Sequence, residues 1–121
     1  MTDSVLLRLS WPSSKLNPNR SKGRHWSWNN KERKAAKNEG WGEANLRGAK
    51  NVTGKRFKLS VTAYPPDNRR RDADNLLASL KHAADGIALA MGVDDSAFTW
   101  TFEGFDRSGS PGILIQVEAI E

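Results

Sequence analysis

The sequence predicts a two-layer α+β domain: a small mixed sheet with helices packed on it, in the order β-α-β-α-β-β. Three observations carry this. Four stretches alternate apolar and polar residues with a period of two, two longer stretches carry helix-forming patterns, and short turn-rich segments separate them. The 121 residues contain no repeat and no low-complexity tract, so residues 1–121 read as one domain.

The first strand is VLLRLSW, with Val5, Leu7, Leu9 and Trp11 on one side and Arg8 and Ser10 on the other, ended by Pro12. Its apolar run is short and broken by Arg8, with no basic lead-in, so it reads as a strand and not as a secretion signal. Residues 12–26 are rich in Pro, Ser, Asn and Gly and read as a loop. A polar, basic helix is expected from Ser27, the candidate N-cap, with Gly40 and Gly42 weakening its middle. After a loop at 47–55, RFKLSVTAYP alternates cleanly, with Phe57, Leu59, Val61 and Ala63 inward, and PPDN turns the chain. A helix from about Asp74 to Ala90 follows, with Leu76, Leu80, Ala83, Ile87 and Met91 within an arc of about 80°. AFTWTFEGF (97–105) and ILIQVEAI (113–120) are the last two strands.

There are no cysteines, which excludes disulfides and thiolate metal sites and suits a reducing compartment such as the cytoplasm. No apolar run approaches the ~20 residues that span a bilayer, so no membrane partner is expected. Charge is divided along the chain. Residues 1–71 hold 17 Lys+Arg against 5 Asp+Glu, and residues 72–121 hold 2 against 9. Basic residues interleaved with tryptophans favour nucleic acid with a separate acidic site, the plain alternative being two halves of one fold that attract each other.

The charge division falls inside RRRDADNLLASLK (69–81), where three arginines meet Asp72 and Asp74. Asp94 and Asp95 stand in a turn beyond the helix. Each residue also has a plain structural use. Asp72 suits a helix N-cap, Asp94-Asp95-Ser96 suits a turn, and Lys81 with Asp85 suits an i,i+4 surface pair. Along a straight helix the two acidic groups would stand about 26 Å apart. They can meet only if the helix is shorter, if Asp72 and Asp74 precede it, or if a second subunit supplies one group; convergence within one subunit is the expectation. The spacing fits no EF-hand, and His25 and His82, far apart in sequence and without cysteine, do not suggest zinc. Oxygen ligands alone suit Mg²⁺ or Mn²⁺, which take one or two carboxylates and a substrate phosphate.

PPDNRRRDADNLLASLKHAADGI followed by MGVDDSAF resembles the RusA-like Holliday junction resolvases, endodeoxyribonucleases of bacteria and their phages. WPSSKLNPN resembles the Pro-Ser-x-x-Asn loop near the start of those enzymes, so the resemblance extends over nearly the whole chain. It implies that Asp72, Asp74 and Asp95 bind Mg²⁺, with Mn²⁺ as a substitute, and that Lys81 assists at the phosphate. Some members carry that lysine four residues after the second aspartate, where this chain has Ala78. It further implies a homodimer that cuts opposed strands of a four-way DNA junction in a bacterial or phage-infected cell. Lys15, Arg20, Lys22, Arg24, Arg69, Arg70 and Arg71 would line a channel holding DNA phosphates. The alternative is a nucleic-acid-binding protein of the same fold without catalysis.

Overall fold

The computed structural model describes residues 3–121. Four strands form one mixed sheet: β1 (Ser4–Leu9), β2 (Phe57–Tyr64), β3 (Phe98–Phe105) and β4 (Gly112–Ala119), in the spatial order β1-β4-β2-β3. β4 runs antiparallel to both β1 and β2, and β2 runs parallel to β3. The predicted α+β class and element order therefore hold. Alternation explains the register. Leu7, Ile115, Val61 and Phe102 are paired across all four strands in one inward row, with Val5, Val117, Leu59 and Trp100 in the next. Leu7, Ile115, Val61, Val117 and Leu59 are fully buried, each contributing about 1.5–3 kcal/mol. Between Val61 and Thr62 the pairing with β3 shifts by one residue, leaving Glu103 as a bulge before Gly104.

The connections contain more structure than the sequence predicts. Within the expected 12–26 loop lies a single helical turn, α1 (Pro18–Ser21), begun by Pro18 and capped by Asn17, whose Oδ1 accepts the Asn19 N–H at 2.9 Å. The main basic helix, α2 (Asn30–Arg47), starts three residues after the expected cap at Ser27. The reason is local: His25 Nδ1 lies 2.7 Å from Ser27 Oγ and accepts the Ser27 N–H, closing a tight turn over Trp26–Asn29 before the helix begins. Ala49 and Val52, in the expected 47–55 loop, are buried in the core.

The predicted 74–90 helix is two helices, α3 (Ala73–Ser79) and α4 (Lys81–Met91), with Leu80 between them. Buried Ser79 donates its hydroxyl back to the Asn75 carbonyl at 2.8 Å, a contact that bends helices, and the Leu80 N–H reaches the Leu77 carbonyl in a tightened turn. The predicted apolar stripe survives the break, with Leu76, Leu80, Ala83 and Ile87 buried in the core. Gly92 ends α4 at φ 73°, a backbone shape that favours glycine.

α2 and α4 meet backbone to backbone. A Cβ on Gly40 would lie 2.1 Å from the Ala83 carbonyl oxygen, and one on Gly86 would lie 2.0 Å from the Lys37 oxygen. Gly40 thus serves as a contact point, not as the weak spot its helix propensity suggests. α2 also closes the sheet edge at β1. Glu43 accepts the Arg8 N–H at 2.8 Å, and Glu39 accepts the Ser10 N–H and hydroxyl at 3.1 and 2.6 Å. Edge donors satisfied in this way are withheld from a foreign strand. Among the described residues no helix is long and apolar enough to cross a membrane.

Candidate active site and nucleic-acid interface

α3 is the ridge on which the candidate site is built. One cleft, of about 360 Å³, lies between α3, the 11–17 segment and the arginine loop; Trp11, Asn17, Arg69, Arg70, Arg71 and Asp72 are in its wall. A second, of about 300 Å³, is lined by Leu77, Ala78, Lys81, Ala84, Asp95 and Trp100. Asn75, Leu76 and Ser79 face the first cleft, while Leu77 and Ala78 face the second.

This arrangement sorts the predicted residues. Lys81 and Asp95 come together in the second cleft. Asp74 is exposed in the first turn of α3, four residues before Ala78, and so shares the helix face that borders this cleft. Asp72 is placed with the arginines on the other side. Among the described residues, no group of three or more acidic or histidine side chains is arranged to hold a metal. The donors present are exposed carboxylates beside a lysine, without sulfur or imidazole. They fit a hydrated Mg²⁺ that takes one or two protein carboxylates, and not a three-carboxylate cage.

Hydrogen bonds separate the aspartates further. Asp72 Oδ1 accepts the Asp74 N–H at 2.8 Å and caps α3, so the plain structural use read from the sequence is real and leaves Oδ2 for other work. Asp94 Oδ2 accepts the Ser96 N–H at 3.0 Å. The Ser96 hydroxyl and backbone N–H hold the Asp94 carboxyl below its ordinary value. Asp95, by contrast, makes no side-chain hydrogen bond or ion pair among the described residues. Of the two neighbours it is the one open to a ligand. The i,i+4 partner expected for Lys81 does not form; Asp85 instead lies 4.0 Å from His82 Nδ1.

Of the predicted DNA-binding cations, Arg69, Arg70 and Arg71 fall into three settings. Arg71 is turned inward: its guanidinium bonds the Asp67 and Arg69 carbonyls, pairs with Asp67 Oδ1 at 2.9 Å and lies 5.0 Å over the Trp11 ring. Arg69 pairs with Asp67 at 3.2 Å yet keeps 82% of its side chain exposed. Arg70 is exposed and unpaired among the described residues. The Arg69 N–H, aided by Arg71, holds the Asp67 carboxyl below its usual range, keeping this loop anchor charged.

Lys15, Arg20 and Arg24 gather around Trp28, at 5.4, 5.6 and 4.7 Å from its ring centre. Lys15 also pairs with Glu32 at 3.4 Å, and Arg20 donates to Ser14 Oγ at 2.6 Å. Lys22 is exposed in the same segment, and α1 places that segment against α3. Two residues of this candidate site were not singled out from the sequence, Trp28 and Trp11, the aromatic faces on which the cations rest. Their interleaving with basic residues is the signal the sequence offers for them.

No protein-family model matches the chain. An uncharacterized protein of Xylella fastidiosa (strain Temecula1 / ATCC 700964) is 38% identical to it over 100 residues, covering 76% of this chain and 61% of the relative. The chain thus spans less than two thirds of the length of the relative it is similar to.

Proposed function

We propose that this protein is a Mg²⁺-dependent, structure-selective endodeoxyribonuclease of the RusA-like type, resolving four-way DNA junctions in recombination and repair. The observation that carries the reading is the meeting of Lys81 and Asp95 in one cleft, with Asp74 on the adjoining face of α3. The motif set running from Pro65 to Ser96 supports it, as does an arginine-lined cleft on the other side of the same short helix.

Asp74 and Asp95 would hold Mg²⁺, while Asp72 lies in the other cleft with the arginines and stands apart from that pair. When bound, the ion polarises a phosphoryl oxygen and lowers the pKa of an attacking water. The side chains supply the rest. The Lys81 ammonium offsets charge that builds on the phosphate during attack. Arg69 and Arg70 hold neighbouring phosphates and set the position of the strand without reading sequence. Asp72 fixes the start of α3 and hence the direction of Asp74. Paired nicks in opposed strands require two such sites related by a twofold axis, so the working form is a homodimer. The cysteine-free composition suits the cytoplasm of a bacterial or phage-infected cell.

The test is cleavage of a labelled synthetic four-way junction in Mg²⁺. Symmetric nicking by the native protein is expected. Asp74→Asn should slow it by about 100-fold or more, the loss of several kcal/mol of charge stabilisation, with junction binding kept or tightened. Asp72→Asn is the companion variant: asparagine caps a helix as well as aspartate does, so cleavage should be largely kept if Asp72 serves to start α3. Salt-sensitive binding without nicking in Mg²⁺ or Mn²⁺ would instead mark a non-catalytic DNA-binding protein.

A further inference from the structure

Trp26 is 71% exposed, although its indole could contribute 150–250 Å² of burial to a core or interface. Its backbone, in contrast, is tied down. Arg33 of α2 donates to the Trp26 carbonyl at 2.7 Å, and His25 caps the turn that Trp26 begins. The His25 ring lies 5.5 Å from the indole at an interplanar angle of 36°, supporting one side of it. A large aromatic surface is thus held outward on a fixed turn. The cations beside it are also placed: Arg24 and Arg20 rest on Trp28, two residues further along.

We propose that Trp26 is a stacking platform for an unstacked nucleobase, with the Arg24 and Arg20 guanidiniums holding the phosphates of the same strand. This inference deepens the DNA-binding reading above and rests on it. Inside a duplex both faces of each base are covered by its neighbours, and only the edges are open. An indole can therefore engage a base only where stacking is interrupted, at a branch, a flap or a single-stranded segment. Stacking on an aromatic ring depends little on which base is present. Trp26 would accordingly select DNA structure and leave sequence unread, and it is a binding residue outside both clefts.

The experiment compares binding of native protein, Trp26→Ala and Trp26→Phe to three probes at one fixed salt concentration, in EDTA to prevent cleavage. The probes are a four-way junction, a single-stranded oligonucleotide and a long blunt duplex. Trp26→Ala should weaken junction and single-strand binding by about 5- to 150-fold, the worth of one base–aromatic stack, and change duplex binding by less than about twofold. Trp26→Phe should recover most of the loss. Photocrosslinking of a halogenated uracil placed at the branch should map to the peptide holding Trp26. Equal loss on all three probes, no loss on any, or a phenylalanine variant as weak as the alanine one would overturn the proposal. Absence of any DNA binding by the native protein would overturn it together with the nuclease reading. Binding with the expected Trp26 pattern but without Mg²⁺-dependent nicking would sink the nuclease reading alone.

Discussion

The α2–α4 seam and the basic segment at residues 12–29 are built from opposite kinds of residue. In the seam, Gly40 and Gly86 remove side chains so that two backbones touch. In the basic segment large side chains are kept outside: Trp26 is exposed, and Trp28 is covered by cations more than by the core. The seam spends its contacts on holding α4 against the fold, and α4 begins with Lys81. The basic segment is tied by a few hydrogen bonds, such as Asn29 to the Lys15 carbonyl at 3.0 Å, and keeps an indole exposed. On the proposed reading, stability and recognition are carried by separate regions, and substitutions in each should read out differently.

The largest effect should come from the seam. Gly86→Ala sets a Cβ 2.0 Å from the Lys37 oxygen and 2.7 Å from the Trp41 nitrogen, and backbone on that side cannot rotate away. About 3 kcal/mol or more of stability should be lost, with the melting temperature lower by roughly 10 °C or more. Gly42→Ala is the counterpart. A Cβ there meets nothing within 4 Å, so the helix gains about 0.5–1 kcal/mol from the better helix former. Thermal melts of both variants decide the matter. If Gly86→Ala melts like the native protein, the seam is looser than its geometry indicates.

The two glycines of α2, Gly40 and Gly42, also mark the limit of what sequence makes legible. Propensity treats Gly40 and Gly42 alike, as weaknesses in a helix. Their difference depends on Ala83, which is distant in the chain and close only after folding. The strands were legible because period-two alternation is local: Phe57–Tyr64 alternates buried and half-buried at every position. The apolar stripe of α3 and α4 was legible for the same reason. The break at Leu80 was not, since Leu76, Leu80 and Ala83 keep helical spacing across it and its visible cause is one hydroxyl, Ser79. The site shares this division. The capping role of Asp72 could be read from Asp-x-x-Asn, but the sharing of one cleft by Asp95 and Lys81, fourteen residues apart in the chain, shows only after folding.

A middle-sized effect separates two adjacent arginines. Arg71 is engaged by Asp67, two carbonyls and the Trp11 ring, so Arg71→Ala should loosen the loop and lower stability by about 1 kcal/mol. Arg70 touches no such partner, and Arg70→Ala should leave the melt unchanged. Its effect should instead fall on DNA, weakening binding to all probes alike and reducing the salt slope by about one. Urea titrations and salt-dependent binding isotherms on the pair give the comparison. Similar melts for both would mean that Arg71 is another surface cation.

The smallest expected effect concerns pH, and it reports on how α2 and α4 face each other. His82 is half-buried on α4; burial disfavours its imidazolium, and Arg33 and Lys81 add repulsion, while Asp85 partly offsets both. Its folded pKa therefore lies below the ordinary value of 6.5. In the unfolded chain the ring takes a proton near 6.5, but in the folded protein only at lower pH. Between those values the unfolded state binds more protons, so the stabilising contribution is complete above 6.5 and declines as pH falls toward the folded pKa. The lowered carboxyls of Asp67, Asp94 and Asp106 act in a separate, more acidic window: their contribution is present above the ordinary carboxylate value of 3.8 and is lost as pH falls through their lower folded values. Urea midpoints taken from pH 8 down to about pH 5 should thus fall for the native protein and fall less for His82→Gln. Identical pH dependence in the two proteins would mean that His82 is as solvated as a free imidazole, and that Arg33 on α2 does not face it across the seam.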